Sequence, residues 1–314
     1  MKRTVFHAVR ARSDPPLFRI LALFFLVGGG AASCTRGTIP IVPGGALLPS
    51  TLTAAAGVTR TPIYFFTPGP GYQFPYAVFG IPEGSTLTMR QVAGVSGGEL
   101  GELEFDRRGV TLTGNATNLG SSTWVEVTGP TGTSGWVSAA NLTQDVPADA
   151  FCADPRVPPL IESLRTSLAA GDALGLQALV DPRRGLAFRF DWWDPEVVYA
   201  PGQLSELLTS DDSRDWGTQP SGGVIQGPFK EIVLPHLSEA IQPDVVAACN
   251  QTLTGPILRE ARWPSEYTNL NYYALYNPAD SAEGEYAWST WLVGVEYVDN
   301  QPYISHLVLL RAGI

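Results

Sequence analysis

The cysteines and histidines are the residues from which a nucleophile or a zinc site would be built. The chain has three of each, and an activated cysteine needs a histidine within hydrogen-bond reach. Cys152 in "FCADP" and Cys249 in "AACNQ" are the candidate nucleophiles, with His236 or His306 as the base. Neither cysteine has the helix-start context of such nucleophiles, and no HExxH spacing occurs. The sequence therefore predicts no catalytic residue, no metal and no cofactor.

Paired carboxylates are a second candidate chemistry, because two acids flanking a glycosidic bond can cleave it. Asp191 and Asp194 flank Trp192-Trp193, and Glu283 and Glu285 precede the run "YAWSTW". Acids in such loops are more commonly solvated charges. A cell-wall or polymer hydrolase with its site in the C-terminal part of the chain is therefore an alternative hypothesis.

Tryptophans are concentrated in the same part of the chain, where they could line a pocket on a concave sheet. Trp288 and Trp291 lie three residues apart in a strand-like run, which places them on opposite faces. One of them is expected in the core and the other outside it or in a cavity. An aromatic-lined cavity with converging carboxylates would favour an enzyme, whereas a filled sheet face would favour a structural scaffold without a small-molecule ligand.

Residues 1–33 have the pattern of a targeting segment that precedes the folded part of the chain. Basic residues precede the apolar run "ILALFFLV", which is too short to span a bilayer, and small residues lead to Cys34. The stretch "AASC" resembles the bacterial lipobox, which implies cleavage before Cys34 and lipidation of its thiol. A plain secretory signal cut near Cys34 is the alternative. Residues 34–61 are rich in Pro, Gly and Ala and are typical of a flexible tether.

Charge and cysteine usage agree with an extracytoplasmic location. Removal of residues 1–33 takes away five of the 20 Lys/Arg and one of the 30 acids, which leaves a net charge of −14. That balance argues against a nucleic-acid partner, since phosphate binding needs a basic stripe. Lipidation of Cys34 leaves Cys152 and Cys249, an even pair that predicts one disulfide in an oxidising compartment. Two buried free thiols are the alternative.

Residues 62–143 alternate short strand-like runs with Gly/Pro turns and show no helical period, which predicts a small all-β module. The stretches "GPGYQFPYAVFGIPEGSTLTM" and "TWVEVTGPTGTSGWVSAANL" resemble the opening and the closing hairpin of the bacterial SH3 family. The segment 92–121 is longer than in that family, and Phe66 replaces its usual arginine. Trp124 and Trp136 fall on facing strands and could pack together. The ligand-binding residues predicted for this module are Tyr72, Phe74, Tyr76 and Trp124.

Residues 150–314 have a different pattern. Apolar residues at helical spacing surround Gly171-Asp172, and Asp172 is placed to cap the second of two helices. Further helices are expected at 227–234 and around 236–248. Long strand-like runs follow, with Asp299-Asn300 as a hairpin turn. The order resembles NTF2-like or cystatin-like domains, which implies an α+β fold with helices on a curved antiparallel sheet.

Together these features predict a multidomain, non-enzymatic lipoprotein of the bacterial cell envelope. The lipid on Cys34 would hold it to the membrane, and the SH3-like module would bind the cell wall or an envelope protein. No nucleic acid is expected as a partner.

Overall fold

The polypeptide forms mostly β-sheet with few helices. The computed structural model describes residues 74–129, 131–219, 222–240, 242, 245–257, 260–279 and 284–312. All of them belong to one compact unit. No helix among these residues has the length and apolar character needed to cross a bilayer.

In the N-terminal part, residues 74–146, the regular elements of the described residues are strands and one short 3₁₀ turn, Ala139–Asn141. Its strands are β1 (Tyr76–Val78), β2 (Thr86–Arg90), β3 (Glu99–Glu104), β4 (Thr111–Leu119), β5 (Ser122–Thr128), β6 (Ser134–Ser138) and β7 (Leu142–Gln144). They form a five-stranded sheet in the order β3-β2-β6-β5-β4 and a separate β1-β7 pair. The alternation in "TLTMR" turns Leu87 and Met89 into the core, as a period of two requires.

The C-terminal part, residues 147–312, is organised around a six-stranded sheet in the order β12-β13-β14-β15-β8-β9. The strands after β7 are β8 (Leu186–Arg189), β9 (Val197–Tyr199), β10 (Ser213–Thr218), β11 (Val224–Pro228), β12 (Val246–Cys249), β13 (Asn271–Asn277), β14 (Ser289–Val298) and β15 (Gln301–Arg311). Strands β10 and β11 pair separately. Asp299 and Asn300 join β14 to β15 with φ of 50° and 63°, which confirms the predicted hairpin turn.

The α-helices among the described residues of this part are α1 (Ala148–Ala153), α2 (Val157–Ala170), α3 (Ala173–Leu179), α4 (Phe229–Ile232) and α5 (Leu234–Glu239), and two short 3₁₀ helices span Pro201–Glu206 and Ser265–Tyr267. Gly171 ends α2 in the left-handed conformation, and the Asp172 side chain accepts a hydrogen bond from the Gly175 amide, so the predicted cap is confirmed. The helix expected over 236–248 is wrong beyond Glu239. Residues 246–249 instead pair with β13 at the sheet edge, because β-branched Val246 and the ladder partners on β13 favour a strand there.

A disulfide-bonded pair and a packed interface hold these elements together. The sulfurs of Cys152 and Cys249 are at bonding distance and their Cα atoms are 5.7 Å apart, in agreement with the pairing that the cysteine count predicts. Phe79 of the N-terminal part packs in one core with Tyr267 and its neighbours in the C-terminal part. Arg184 donates hydrogen bonds to the carbonyls of Ala140 and Leu142. The two parts therefore share buried surface.

Candidate functional site

A cavity of about 250 Å³ opens at the end of the large sheet where β14 begins and β15 ends. Ser289 and Arg311 are directly paired in the ladder there, so the sheet register fixes their positions. The loop after β8 and the last turn of α5 complete the wall. We call it the Arg311 cavity, and its polar and aromatic lining includes Asp191, Trp193, Asp194, His236, Glu239, Tyr286, Trp288, Ser289 and Arg311.

Two aspartates of the β8 loop are buried in this wall. Asp191 is 5% exposed and Asp194 is 4% exposed, which corrects the expectation that they are solvated loop charges. The Asp194 carboxylate accepts a hydrogen bond from the Thr218 amide at 3.4 Å. A Cβ at Gly217 would lie 2.1 Å from Asp194 Oδ1, so the absence of a side chain there permits the approach. Burial raises the pKa of Asp194.

Helix α5 supplies a third carboxylate and a histidine one turn apart. Glu239 accepts a hydrogen bond from Ser289 Oγ at 2.6 Å, and its other oxygen lies 3.3 Å from His236 Nδ1. Burial by itself would raise the pKa of Glu239, but the contacts with His236 and Ser289 and the charge of Arg311 outweigh it and lower that pKa. Glu239 is therefore an ionised carboxylate at neutral pH.

Arg311 is the cation of the cavity wall. Its guanidinium lies 4.5 Å from the centre of the Phe190 ring, a favourable cation–π distance. Burial lowers the pKa of Arg311, while the carboxylates of Asp191, Asp194 and Glu239 oppose that shift. Since a guanidinium stays protonated in proteins, one positive charge faces three acidic side chains.

Aromatic rings form the remaining walls. Trp193 is 39% exposed, and its ring packs edge to face with Trp192 at 5.5 Å. Trp288 is buried and donates its indole N–H to the Pro256 carbonyl at 2.7 Å, which fixes the ring orientation. Trp291 lies in the core on the other face of the sheet. The expected placement of the two rings on opposite faces is confirmed; both are buried in core clusters, and Trp288 also lines the cavity.

Two of the residues predicted for ligand binding in the N-terminal part are buried. Tyr76 and Trp124 are each 7% exposed, so little of either ring is open to a ligand. Tyr76 is held inside because it belongs to β1 and packs in the core of its sheets. Phe74 is half-buried, and Tyr72 lies outside the described residues.

The other sequence candidates are placed as follows. Cys152 and Cys249 are bonded to each other, so neither is a thiol nucleophile in this structure. Glu285 is exposed and does not line the Arg311 cavity, and Glu283 lies outside the described residues, as does Cys34. In the part of the chain that the structure describes, no three His, Cys, Asp or Glu side chains are arranged to hold a metal ion.

His306 is buried beneath the interface between the two parts. Its ring lies 4.5 Å from that of Tyr267 and 5.4 Å from that of Phe79. Burial and then the charges of Arg184 and Arg189 lower the pKa of His306 to about 3. His306 is therefore a neutral core residue at physiological pH.

Sequence reasoning did not single out Glu239 or Arg311. Glu239 lies at the end of a short helix and Arg311 at the end of a strand, and neither segment contains a sequence motif for a binding or catalytic site. The charge of Arg311 at the end of a buried apolar strand was the one available signal, because a charged residue in that position needs partners.

No protein-family model, curated protein or solved structure matches this chain significantly.

Proposed function

We propose that this protein is an envelope-anchored binding protein whose Arg311 cavity takes a small hydroxylated ligand of the saccharide class. The observation that carries the proposal is the combination of aromatic walls with buried carboxylates and one guanidinium around an open volume of about 250 Å³. A pocket with apolar walls and a few placed polar groups is the usual form of a small-molecule site.

The aromatic walls suit the apolar C–H face of a sugar ring. Trp193 is the most exposed ring of the lining, so it offers a stacking surface at the mouth. The ring of Trp288 is held in place by its hydrogen bond to Pro256. Rigid rings bind at a low entropic cost because few rotamers are lost.

The polar walls suit hydroxyl groups. Carboxylates accept hydrogen bonds from hydroxyls, while the guanidinium of Arg311 donates them. Hydrogen bonds to charged groups are stronger than those between neutral groups. Because Asp191 and Asp194 are buried, water competes little for them.

The attachment to the envelope is the second half of the proposal, and it rests on the sequence. Residues 1–33 as signal, Cys34 as lipidated residue and 34–61 as tether would present an SH3-like barrel at 62–143 and an α+β domain at 150–314. Replacement of Cys34 by Ser is expected to move the protein from the membrane fraction to the soluble fraction. Its persistence in membranes would refute the anchor.

The SH3-like barrel is proposed to dock on the cell wall or on an envelope protein. Support comes from exposed apolar side chains on the inserted segment, namely Val92, Val95, Leu100 and Leu119, since exposed apolar groups mark interaction surfaces. We expect the protein to co-sediment with isolated cell-wall sacculi and Val95→Glu to reduce the pelleted fraction. No pelleting of either form would argue against wall binding.

Saccharide binding is tested by calorimetric titration with glucose, N-acetylglucosamine and their β-1,4-linked disaccharides. Trp193→Ala is expected to weaken binding about tenfold, since loss of a stacking ring removes on the order of 1.4 kcal/mol. Trp136→Ala, outside the cavity lining, is the control and should bind as the parent does. Equal affinity of the parent and Trp193→Ala, or no binding of any saccharide, would overturn the proposal.

Hydrolysis of the bound saccharide is a second candidate, favoured by the contrast between two carboxylates. Burial raises the pKa of Asp194, whereas the pKa of Glu239 is lowered. Asp194 would give its proton to the leaving oxygen while Glu239 takes one from the attacking water. New reducing ends that disappear in Asp194→Asn and Glu239→Gln would support this candidate. Their absence with a bound saccharide would leave binding alone.

A further inference from the structure

The charges around the Arg311 cavity do not balance. Three carboxylates, those of Asp191, Asp194 and Glu239, line the same cavity as one guanidinium. His236 adds a positive charge only when it is protonated. Even with Asp194 protonated, the carboxylates of Asp191 and Glu239 outnumber the one guanidinium of the lining, so an occupant of the cavity meets an excess of negative charge.

Burial strengthens the interaction of these carboxylates with any charged group in the cavity. Asp191 and Asp194 are almost fully covered by protein. Charges in such surroundings interact more strongly than charges in water and are screened less by salt. An isolated anionic group in the cavity would be repelled by the carboxylates, and Arg311 is already faced by three of them.

The aromatic walls are an independent observation that points in the same direction. The electron-rich faces of tryptophan and tyrosine attract cations as well as sugar C–H groups. Trp193, Tyr286 and Trp288 all contribute to the lining. Aromatic rings are a common protein environment for an organic ammonium group, and nearby carboxylates add the attraction of opposite charge.

We propose that the ligand of the Arg311 cavity carries a protonated amine, which makes it an amino sugar with a free ammonium group. The ammonium group contacts the carboxylates and the aromatic faces, and the hydroxyls use the remaining carboxylate oxygens and Arg311. This inference rests on the proposed saccharide binding and specifies the charge of the saccharide.

The test compares three monosaccharides of nearly the same shape and different charge. Glucosamine, glucose and glucuronate are titrated against the purified full-length protein by calorimetry at neutral pH and low salt. We expect glucosamine to bind at least about tenfold more tightly than glucose, equivalent to about 1.4 kcal/mol, with glucuronate weakest. Added salt should reduce the preference for glucosamine.

The outcomes separate the two proposals. Equal binding of glucosamine and glucose would overturn the amine inference and leave the saccharide proposal standing. Tightest binding of glucuronate would also overturn it, since Arg311 would then dominate. No binding of any of the three would overturn this inference, and the panel of neutral saccharides would decide the proposed function separately.

A pair of matched variants identifies the responsible carboxylate. Glu239→Gln removes one negative charge and keeps the side-chain shape. It should reduce the ratio of glucosamine to glucose affinity about fivefold or more, because the loss of the charge weakens the binding of the ammonium sugar more than that of the neutral one. Glu206→Gln makes the same change at an exposed position outside the cavity lining and should leave the ratio unchanged.

Asp191→Asn changes a second buried acid of the lining in case Glu239→Gln disturbs α5. Both variants are first checked by thermal unfolding, so that only folded protein is compared. An unchanged ratio in every folded variant would overturn the inference.

Discussion

Arg184 is the residue whose replacement should most damage the interface between the N-terminal and C-terminal parts. Its Nε lies 3.1 Å from Glu296 Oε1, and Glu296 is 0% exposed. Its terminal nitrogens donate to the carbonyls of Ala140 and Leu142. The guanidinium also lies 4.9 Å from the centre of the Phe79 ring. One side chain thus connects the buried acid of β14 to the end of the N-terminal part.

The replacement Arg184→Met keeps much of the apolar stem and removes the charge. Glu296 then keeps Arg183 as its cation, at 3.2 Å, and two backbone carbonyls lose a charged donor. Removal of the sole partner of a buried charge costs about 3–5 kcal/mol, and with Arg183 still in place a smaller loss of about 2–3 kcal/mol is expected. For a chain of this size each kcal/mol lowers Tm by roughly 2–4 °C, so a decrease of roughly 4–12 °C is expected.

The assay is urea unfolding at neutral pH with the disulfide intact, followed by far-UV circular dichroism. Lys230→Met is the matched control, since Lys230 pairs with exposed Asp211 and a surface pair contributes about 1 kcal/mol or less. The double variant with Glu296→Gln should show a coupling of about 1–3 kcal/mol. A loss below about 1 kcal/mol in Arg184→Met, or strict additivity with Glu296→Gln, would refute this reasoning.

Three further predictions concern the disulfide and two titrating groups. Reduction of the Cys152–Cys249 bond, which spans 97 residues, should lower the free energy of unfolding by about 4–5 kcal/mol in urea titrations; an unchanged midpoint would contradict this. The pKa of His306 falls from 6.5 to about 3 on burial. The unfolded state therefore binds more protons, and stability should decrease as pH falls across that interval; His306→Gln should flatten the profile, and an equally steep profile would count against it. The hydrogen bond from Arg156 is the main cause that lowers the pKa of Asp154 from 3.8 to about 2. The ionised carboxylate therefore stabilises the fold fully above pH 3.8, and this stabilisation is lost as the pH falls through about 2. Asp154→Asn should cost about 1 kcal/mol at neutral pH and almost nothing near pH 2, as measured by urea unfolding.

The sequence predicted correctly those features that neighbouring residues determine, such as turns and helix caps. The positive φ angles at Asp299 and Asn300 follow from residue types that tolerate the left-handed region. Asp172 caps α3 because its side chain reaches an amide three residues ahead. The strand-rich character of residues 74–146 also follows from local alternation and turns. The helix expected over 236–248 failed beyond Glu239, because pairing with β13 lies outside any local window.

The burial of individual rings was decided by tertiary structure. The register of β5 and β6 places Trp124 opposite Ser138 and Trp136 opposite Glu126. The two indoles are therefore diagonal neighbours and not a directly opposed pair. Tyr76 stands among the aromatic residues predicted to bind a ligand, yet β1 pairing draws it into the core. Composition specifies how many rings a module has, but packing decides which of them meet water.

The Arg311 cavity shows the same division most clearly. The sequence by itself determined that Asp191 and Asp194 stand close together beside two tryptophans. Only the tertiary structure brought Glu239 and Arg311 to them, from segments far apart in the chain. The pairing of β14 with β15 fixes the position of Arg311 in the cavity lining, and the packing of α5 fixes the position of Glu239. Such distances depend on strand register and helix packing, which a local residue pattern does not encode.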